Sequence, residues 1–207
     1  MKKYYHRKIT TDAIQEYVGV DVMETIIGAN IGQDAIRFQF GHDHFHYDNN
    51  SFVAGDRYCD EQRSIIRSAI ARSDAQTARE AFGRLSHTVQ DLYAHSNYVA
   101  LWREMFPAGN PEQVEPELRN ILANGRLHSG KLYYPLEALS FIEKLQPTVL
   151  PLLPRDSHAW MNLDDPSKPD FNYAYSAAVK RTRTEYATLV SSLSQSDLKL
   201  FAGLEKG

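Results

Sequence analysis

The sequence predicts an all-α fold: a single-domain multi-helix bundle over residues 1–207. Two observations predict it. Apolar residues recur at intervals of three and four along several stretches, the spacing that lines one face of a helix. No stretch shows the strict apolar–polar alternation of a half-buried strand. A chain of 207 residues suits one domain and can bury a sizeable core.

The elements follow in order. Thr10 and Thr11 precede Asp12, so a short helix with a threonine cap is expected over 12–18, interrupted at Gly19. A second helix is expected over 21–37, with Val22, Ile26, Ile27, Ala29 and Ile36 as its apolar positions. Residues 38–58 read as a loop punctuated by Gly41, Asn49, Asn50 and Gly55, and loops of that length are usually functional. Glu61 to Ser73 returns to helical spacing through Ile65, Ile66, Ala69 and Ile70. Asp74 caps the longest expected helix, which carries Ala78, Ala81, Phe82, Leu85, Val89 and Leu92 and runs to Phe106 before Pro107 and Gly109 stop it. Helical patches follow at 112–124 and 136–145, then a proline-rich bend at 146–154 and a polar loop at 155–170. Helices over 171–192 and 195–203 close the chain.

Composition narrows the classes. Hydrophobic content of 43% and charged content of 24% are those of an ordinary globular protein. The net charge is −3, and no long basic block is present, so nothing points to tight duplex binding through phosphate neutralisation. One cysteine, Cys59, cannot form an internal disulfide. The start, Met1-Lys-Lys-Tyr-Tyr-His, lacks the apolar core of a signal peptide, and no stretch approaches a transmembrane length. These features lead to the expectation of a cytoplasmic protein.

The chemistry concentrates in the run Gly83 to Asn97, where His87, Asp91 and His95 stand four residues apart. Each step of four drifts by only about 40° around a helix, so the three side chains share one stripe. The rise over eight residues is about 12 Å, too long for one tetrahedral ion to meet all three. A cluster of two or more metals is the simplest functional reading, with Asp91 placed to bridge. Other elements offer further ligand types: His6 near the start, Asp34 late in the second helix, and His42, His44, His46 and Asp48 in the first loop. His158, Asp164 and Asp165 in the second polar loop, and His128, add to these. Tyr93, Tyr98 and Trp102 read as core, Arg84 as the ion-pair partner of Glu80, and Lys180 to Glu185 as a solvated helix face.

Four blocks carry a family resemblance. The opening His6-Arg-Lys-Ile-Thr-Thr-Asp-Ala-Ile is similar to that of the zinc-dependent phospholipase C and single-strand nuclease superfamily, and His46-Tyr-Asp-Asn resembles its His-Phe-Asp-Asn element. The run Gly83 to Asn97 resembles the LHTxQDFYxHSN helix of the HET-C heterokaryon-incompatibility branch, and Asp156 to Pro166 resembles that branch's late segment. The resemblance implies a mostly helical fold with a zinc cluster of two or three ions in a cleft, other divalent metals being possible. It implies Asp34, His46, His87 and Asp91 around one ion, His6 with Asp91 at a second, and His95 with His158 at a third. Asp34 would also bridge or act as the base. Asn162 stands where the third site of that superfamily has a glutamate, so two metals or three both stay open, with Asp164 as an alternative ligand.

The function implied is a metal-dependent phosphodiesterase that directs metal-activated water at phosphorus, on a small phosphate-containing substrate such as a phospholipid or nucleotide. Peripheral membrane contact would accompany the first substrate. A recognition or effector module with a structural metal, and a non-hydrolytic enzyme on the same fold, are the alternatives.

Overall fold

The computed structural model describes residues 1–38, 41–142 and 144–204, with Ile36 described in its backbone only. Helix α1 spans Lys3–Ile14, α2 Val20–Gly32, α3 Phe52–Ala71, α4 Ala75–His95 and α5 Tyr98–Met105. Four short helices follow: α6 Arg119–Leu122, α7 Leu136–Ser140, α8 Gln146–Val149 and α9 His158–Met161. The long α10 (Phe171–Ser192) and α11 (Gln195–Ala202) end the chain. The described residues contain isolated bridges but no strand, so the fold is all-α as expected. No helix among them is long and apolar enough to cross a membrane.

Helix α4 is the axis of the molecule. It packs against α2, α3 and α10, while α1 lies across α2 and α10. Asp74 caps it, accepting from the Thr77 amide at 3.1 Å, a contact worth about 1 kcal/mol. Its first half is wrapped by one apolar core that includes Val22, Ile26, Ile66, Phe82, Leu85, Tyr186 and Phe201. A second core gathers Leu92, Tyr93, Tyr98, Trp102, Ile121 and Phe171 around its far end and α5, so the aromatic trio is core as its spacing suggests. From Leu85 to His95 every residue of α4 is buried. Polar side chains on that stretch must therefore find partners inside the protein.

Several boundaries differ from expectation. Thr10 and Thr11 lie inside α1, where their hydroxyls donate to the carbonyls of His6 (2.8 Å) and Arg7 (2.9 Å) one turn back, so they do not cap a helix. Helix α2 ends at Gly32, and the Asp34 amide takes the Ile31 carbonyl in a tightened last turn. Helix α3 begins at Phe52, so Gly55 is helical; a Cβ there would lie 2.5 Å from the Tyr47 ring. The expected loop over 38–58 is correspondingly shorter, and Gln39 and Phe40 within it, like Glu143 in the 136–145 patch, lie outside the described residues. The expected helix to Phe106 breaks at Ser96, which is extended (φ −115°, ψ 170°). The Ser96 hydroxyl donates to the Leu92 carbonyl, and the Gly130 amide takes the His95 carbonyl at 2.9 Å. The run Lys180 to Glu185 is only partly solvated. Arg181 pairs with Glu117 and Glu185, and Arg63 of α3 forms a two-pronged pair with Glu185 at 2.6 and 3.1 Å.

Gly83 sets the distance between α2 and α4. A Cβ there would stand 2.3 Å from the Ile26 carbonyl oxygen and 2.8 Å from Ala29 Cβ. The obstacle is backbone, which cannot rotate away. Gly83→Ala is therefore expected to destabilise the fold by about 1–3 kcal/mol or more despite the higher helix propensity of alanine, read as a lower denaturant midpoint.

Candidate metal centre

The second half of α4 carries the centre. Asp91 is fully buried and uses both carboxylate oxygens. Its Oδ1 lies 2.7 Å from the Met1 α-amino group and 3.2 Å from His6 Nε2. Its Oδ2 lies 3.0 Å from both His46 Nδ1 and His87 Nε2, and those two nitrogens are also 3.0 Å apart. Three ligand-type atoms thus form a triangle with edges of 3.0 Å, and Asp34 Oδ1 approaches His87 Nε2 at 3.8 Å. Donors bound at about 2.0–2.1 Å around a tetrahedral zinc ion stand about 3.3 Å from one another, so the triangle is close to that size.

A second convergence forms on the other side of His95. Asp48 Oδ1 accepts from His158 Nδ1 at 2.8 Å and lies 3.5 Å from His95 Nδ1. His95 Nε2 faces Asp164 Oδ1 at 3.3 Å and the Met1 amine at 3.0 Å. Three triads can each bring ligand atoms within 4.8 Å of one another: His6, Asp34 and His87; His46, His87 and Asp91; Asp48, His95 and His158. All seven sequence-designated residues, His6, Asp34, His46, His87, Asp91, His95 and His158, therefore gather in one place. Asp34, late in α2 by expectation, sits just beyond its end and is the part-exposed member of its triad.

Two groups that the sequence reading left unassigned, Asp48 and the Met1 amine, join the centre, together with Asp164, which it gave as an alternative ligand. Asp48 had a local signal, since it follows His46 by two residues in a turn. Asn162 does not reach the cluster; its side-chain amide donates to the carbonyls of His158 (3.0 Å) and Ala159 (3.1 Å). Asp164 is the carboxylate found there instead. The other histidines stand apart. His128 is exposed beside the Arg126 carbonyl, and His44 packs against Phe45 and Tyr58. Asp165 pairs with Lys2. Arg84 donates to Gln62 at 3.0 Å and keeps only a long 3.8 Å approach to Glu80.

An outer layer fixes His6. Thr10 and Thr182 spend their hydroxyl protons on the carbonyls of His6 and Ala178. Each can then only accept from Gln90 Nε2, at 3.1 and 3.0 Å. That orients the Gln90 amide so that its Oε1 faces His6 Nδ1 at 2.7 Å. His6 Nδ1 must therefore carry a proton, and its Nε2 is held facing Asp91 Oδ1 at 3.2 Å. Such outer partners set ligand tautomers in metal sites. His46 Nε2 and His87 Nδ1 are buried without hydrogen-bond partners.

The backbone turn at 129–132 holds the second convergence together. The Gly130 amide takes the His95 carbonyl, and the Gly130 carbonyl accepts from the Asn49 amide at 2.9 Å. Lys131 exchanges backbone bonds with Asp156 and His158, both at 2.8 Å. The Leu132 amide donates to Asn49 Oδ1 at 2.8 Å. One short turn thus ties the carriers of Asp48, His95 and His158. The 47–50 turn is itself strained, with Tyr47, Asn49 and Asn50 at φ between 53° and 58°. Asparagine tolerates that region, whereas tyrosine does not, and Tyr47 is held there by burial and a 2.7 Å bond to Asp56.

Electrostatics suits cations. Burial outweighs the Asp91 charge at His87 and pushes its imidazolium down to about 4, leaving a neutral ligand at neutral pH. Burial also works against the proton of His158, but the Asp48 charge and hydrogen bond raise it to about 9. Burial would raise Asp48, Asp91 and Asp164, yet nearby histidines, joined at the latter two by the Met1 amine, hold all three below the usual carboxylate range. The ammonium of Met1 lies among Asp91, His95 and Asp164, where a cation is stabilised. The centre opens into a cavity of about 560 Å³ lined by Asp34, His46, Asp48, His95, His158 and Asp164, with Lys3, Ala138 and Phe141 on its walls.

Fold and site together define an all-α domain built around a buried histidine–aspartate cluster at the foot of a cavity. A model of the VWA7 N-terminal domain family matches residues 6–124, more than half of the 207-residue chain, and the chain belongs to that family. No curated protein and no solved structure matches the chain. The matched span contains His6, Asp34, His46, Asp48, His87, Asp91 and His95 and ends before His158 and Asp164.

Two substitutions test this construction. Gln90→Leu removes the acceptor of His6 and leaves two threonine oxygens unmatched; a loss of about 1–3 kcal/mol in unfolding free energy is expected, with metal affinity weakened about 10–100-fold by titration calorimetry. At Gly130 a Cβ would stand 2.5 Å from His158 Cα. Gly130→Ala should part the turn from His158 and displace the His158 ring resonances in NMR while leaving those of His6 in place.

Proposed function

We propose that the protein is a metal-dependent phosphodiesterase and that the cluster holds two or three divalent cations, zinc being the favoured ion. The observation that carries the reading is the convergence of three ligand triads, eight residues in all, of which Asp34, His46, Asp48, His95 and His158 line one cavity. The donor set of imidazoles and carboxylates is the one zinc takes, and one face left open to the cavity is what a catalytic site needs. The resemblance of Gly83 to Asn97 to the HET-C helix supports the same chemistry. Asp34, His46, His87 and Asp91 would hold one ion, His6 with Asp91 a second, and Asp48, His95 and His158 with Asp164 a third. Bound zinc would supply Lewis acidity, easing ionisation of water and offsetting charge at phosphorus.

The chain's own groups supply the rest. Asp91, with Oδ1 at His6 and Oδ2 at His46 and His87, would be shared between the first two sets of ligands. Asp34 is part-exposed and on the cavity wall, so it can reach a substrate-side proton as the base, which the buried Asp91 cannot. Gln90 keeps His6 Nε2 aimed inward. Lys3, on the same wall, offers a cation to a phosphate oxygen that the cluster does not contact.

Elemental analysis of protein purified without added metal is expected to find two or three zinc per chain. Hydrolysis of bis(p-nitrophenyl) phosphate should be abolished by chelation and restored by zinc. Asp91→Asn should lose bound metal and at least about a hundredfold of that activity, more than an outer-layer change costs. Full metal content in Asp91→Asn, or a metal-replete wild type inert towards soluble diesters, would overturn the reading.

A further inference from the structure

Segment 134–152 has an unusual surface. Of the fifteen large apolar side chains exposed among the described residues, six fall within it: Tyr134, Leu139, Phe141, Ile142, Leu145 and Leu152. Beneath them is only a small core of its own, Val149, Leu153 and Ala159 with Tyr133, Leu136, Leu150 and Trp160 packed against it. The inward apolar residues hold the segment to the body, and Phe141 also meets the His158 ring edge-on at 5.7 Å, while Ile142, Leu145 and Leu152 present their side chains to solvent. Single exposed apolar residues are ordinary, but six of them within nineteen residues, on and around the short helices α7 and α8, are not.

The chemistry of this face selects its partner. Across 134–152 the sequence has three charged residues, Glu137, Glu143 and Lys144, and Glu137 is fully buried under the face. Pro135, Pro147 and Pro151 remove three amide donors. A protein partner would demand about one hydrogen bond per 100–200 Å² of contact, which such a face supplies poorly. A bilayer interior demands none. The cations lie around the ridge: Lys144 within it, Arg155 just beyond it over the Trp160 ring at 3.8 Å, and exposed Lys3 on the cavity wall that Phe141 shares. An apolar ridge with basic residues about it is the pattern of a surface that seats in anionic headgroups. The ridge is also continuous with the metal-centre cavity, because Ala138 and Phe141 belong to both.

We infer that residues 134–152 dock the protein on an anionic phospholipid surface, with Phe141, Ile142, Leu145 and Leu152 entering the headgroup layer and the cavity mouth facing the membrane. Docking stands apart from the hydrolase reading; only the delivery of a lipid phosphodiester to the cluster rests on it. The test is co-sedimentation of the full chain with phosphatidylcholine vesicles, with and without phosphatidylserine, in the presence of chelator. Binding is expected to the phosphatidylserine vesicles, to weaken with salt, and to fall at least about tenfold in Ile142→Ser/Leu145→Ser. Leu152→Ser, at the most exposed of the six, should weaken it independently, while Val53→Ser, still more exposed on α3, should not. Circular dichroism checks that each variant is folded. Absence of binding by the wild type, unchanged binding by the double variant, or a dimer of this chain that dissociates in the double variant would overturn the inference. Hydrolysis of the soluble diester is measured in parallel on zinc-loaded protein. Vesicle binding without hydrolysis removes the enzyme reading alone, and hydrolysis without vesicle binding removes the docking alone.

Discussion

A carboxylate with no solvent exposure is costly to keep ionised, by several kcal/mol unless charges and hydrogen bonds compensate it. Asp91 is such a group, and much of the molecule is arranged as its compensation. Helix α1 brings His6, the residues before it bring the Met1 amine, the turn after residue 42 brings His46, and α4 itself supplies His87 one turn earlier. Because the partners divide between the two oxygens, the carboxylate does more than neutralise them. It ties the Met1 amine and His6 at one oxygen to His46 and His87 at the other, and the His6 and His87 rings stack at 4.2 Å across it.

That arrangement explains why α4 is buried on all sides over its second half. An ordinary surface helix has one apolar stripe, and its polar residues meet water. Here the polar stripe is turned inward, and each of its members is answered by a different element. Gln90 shows how far the requirement spreads: its four bonding positions reach α1, α2 and α10, so a helix that touches no ligand still helps to fix the His6 tautomer.

The legibility of this site in the sequence follows from the range of the interactions. His87, Asp91 and His95 could be found because helical periodicity alone puts them on one stripe. His46 and Asp34 were legible through pattern and resemblance. Asp164 was legible only as an alternative ligand, and the role of Asp48 depends on the 129–132 turn, whose bonds join residues about eighty positions apart along the chain. The same turn ends α4 at His95 by taking its carbonyl, where the apolar spacing runs on towards Phe106. Helix α3 starts early for a related reason. Gly55 reads as a loop residue in isolation, and only the Tyr47 ring lying against it shows why a helix needs glycine there.

The placement of the cluster along α4 also has a physical basis. The carbonyls at the end of a helix are the negative pole of its dipole and favour cations within the last turns. His95 is the last residue of α4, so the backbone field at that end adds to the attraction of Asp48 and Asp164 for positive charge there. At the other end, Gly83 lets α2 approach to backbone contact, and the packing around Phe82 and Leu85 is apolar. Stability is thus concentrated before the stripe and charge within it. A cation introduced into the second half would be held by groups whose positions the first half has already fixed, which is the division of labour that a rigid, preorganised site requires.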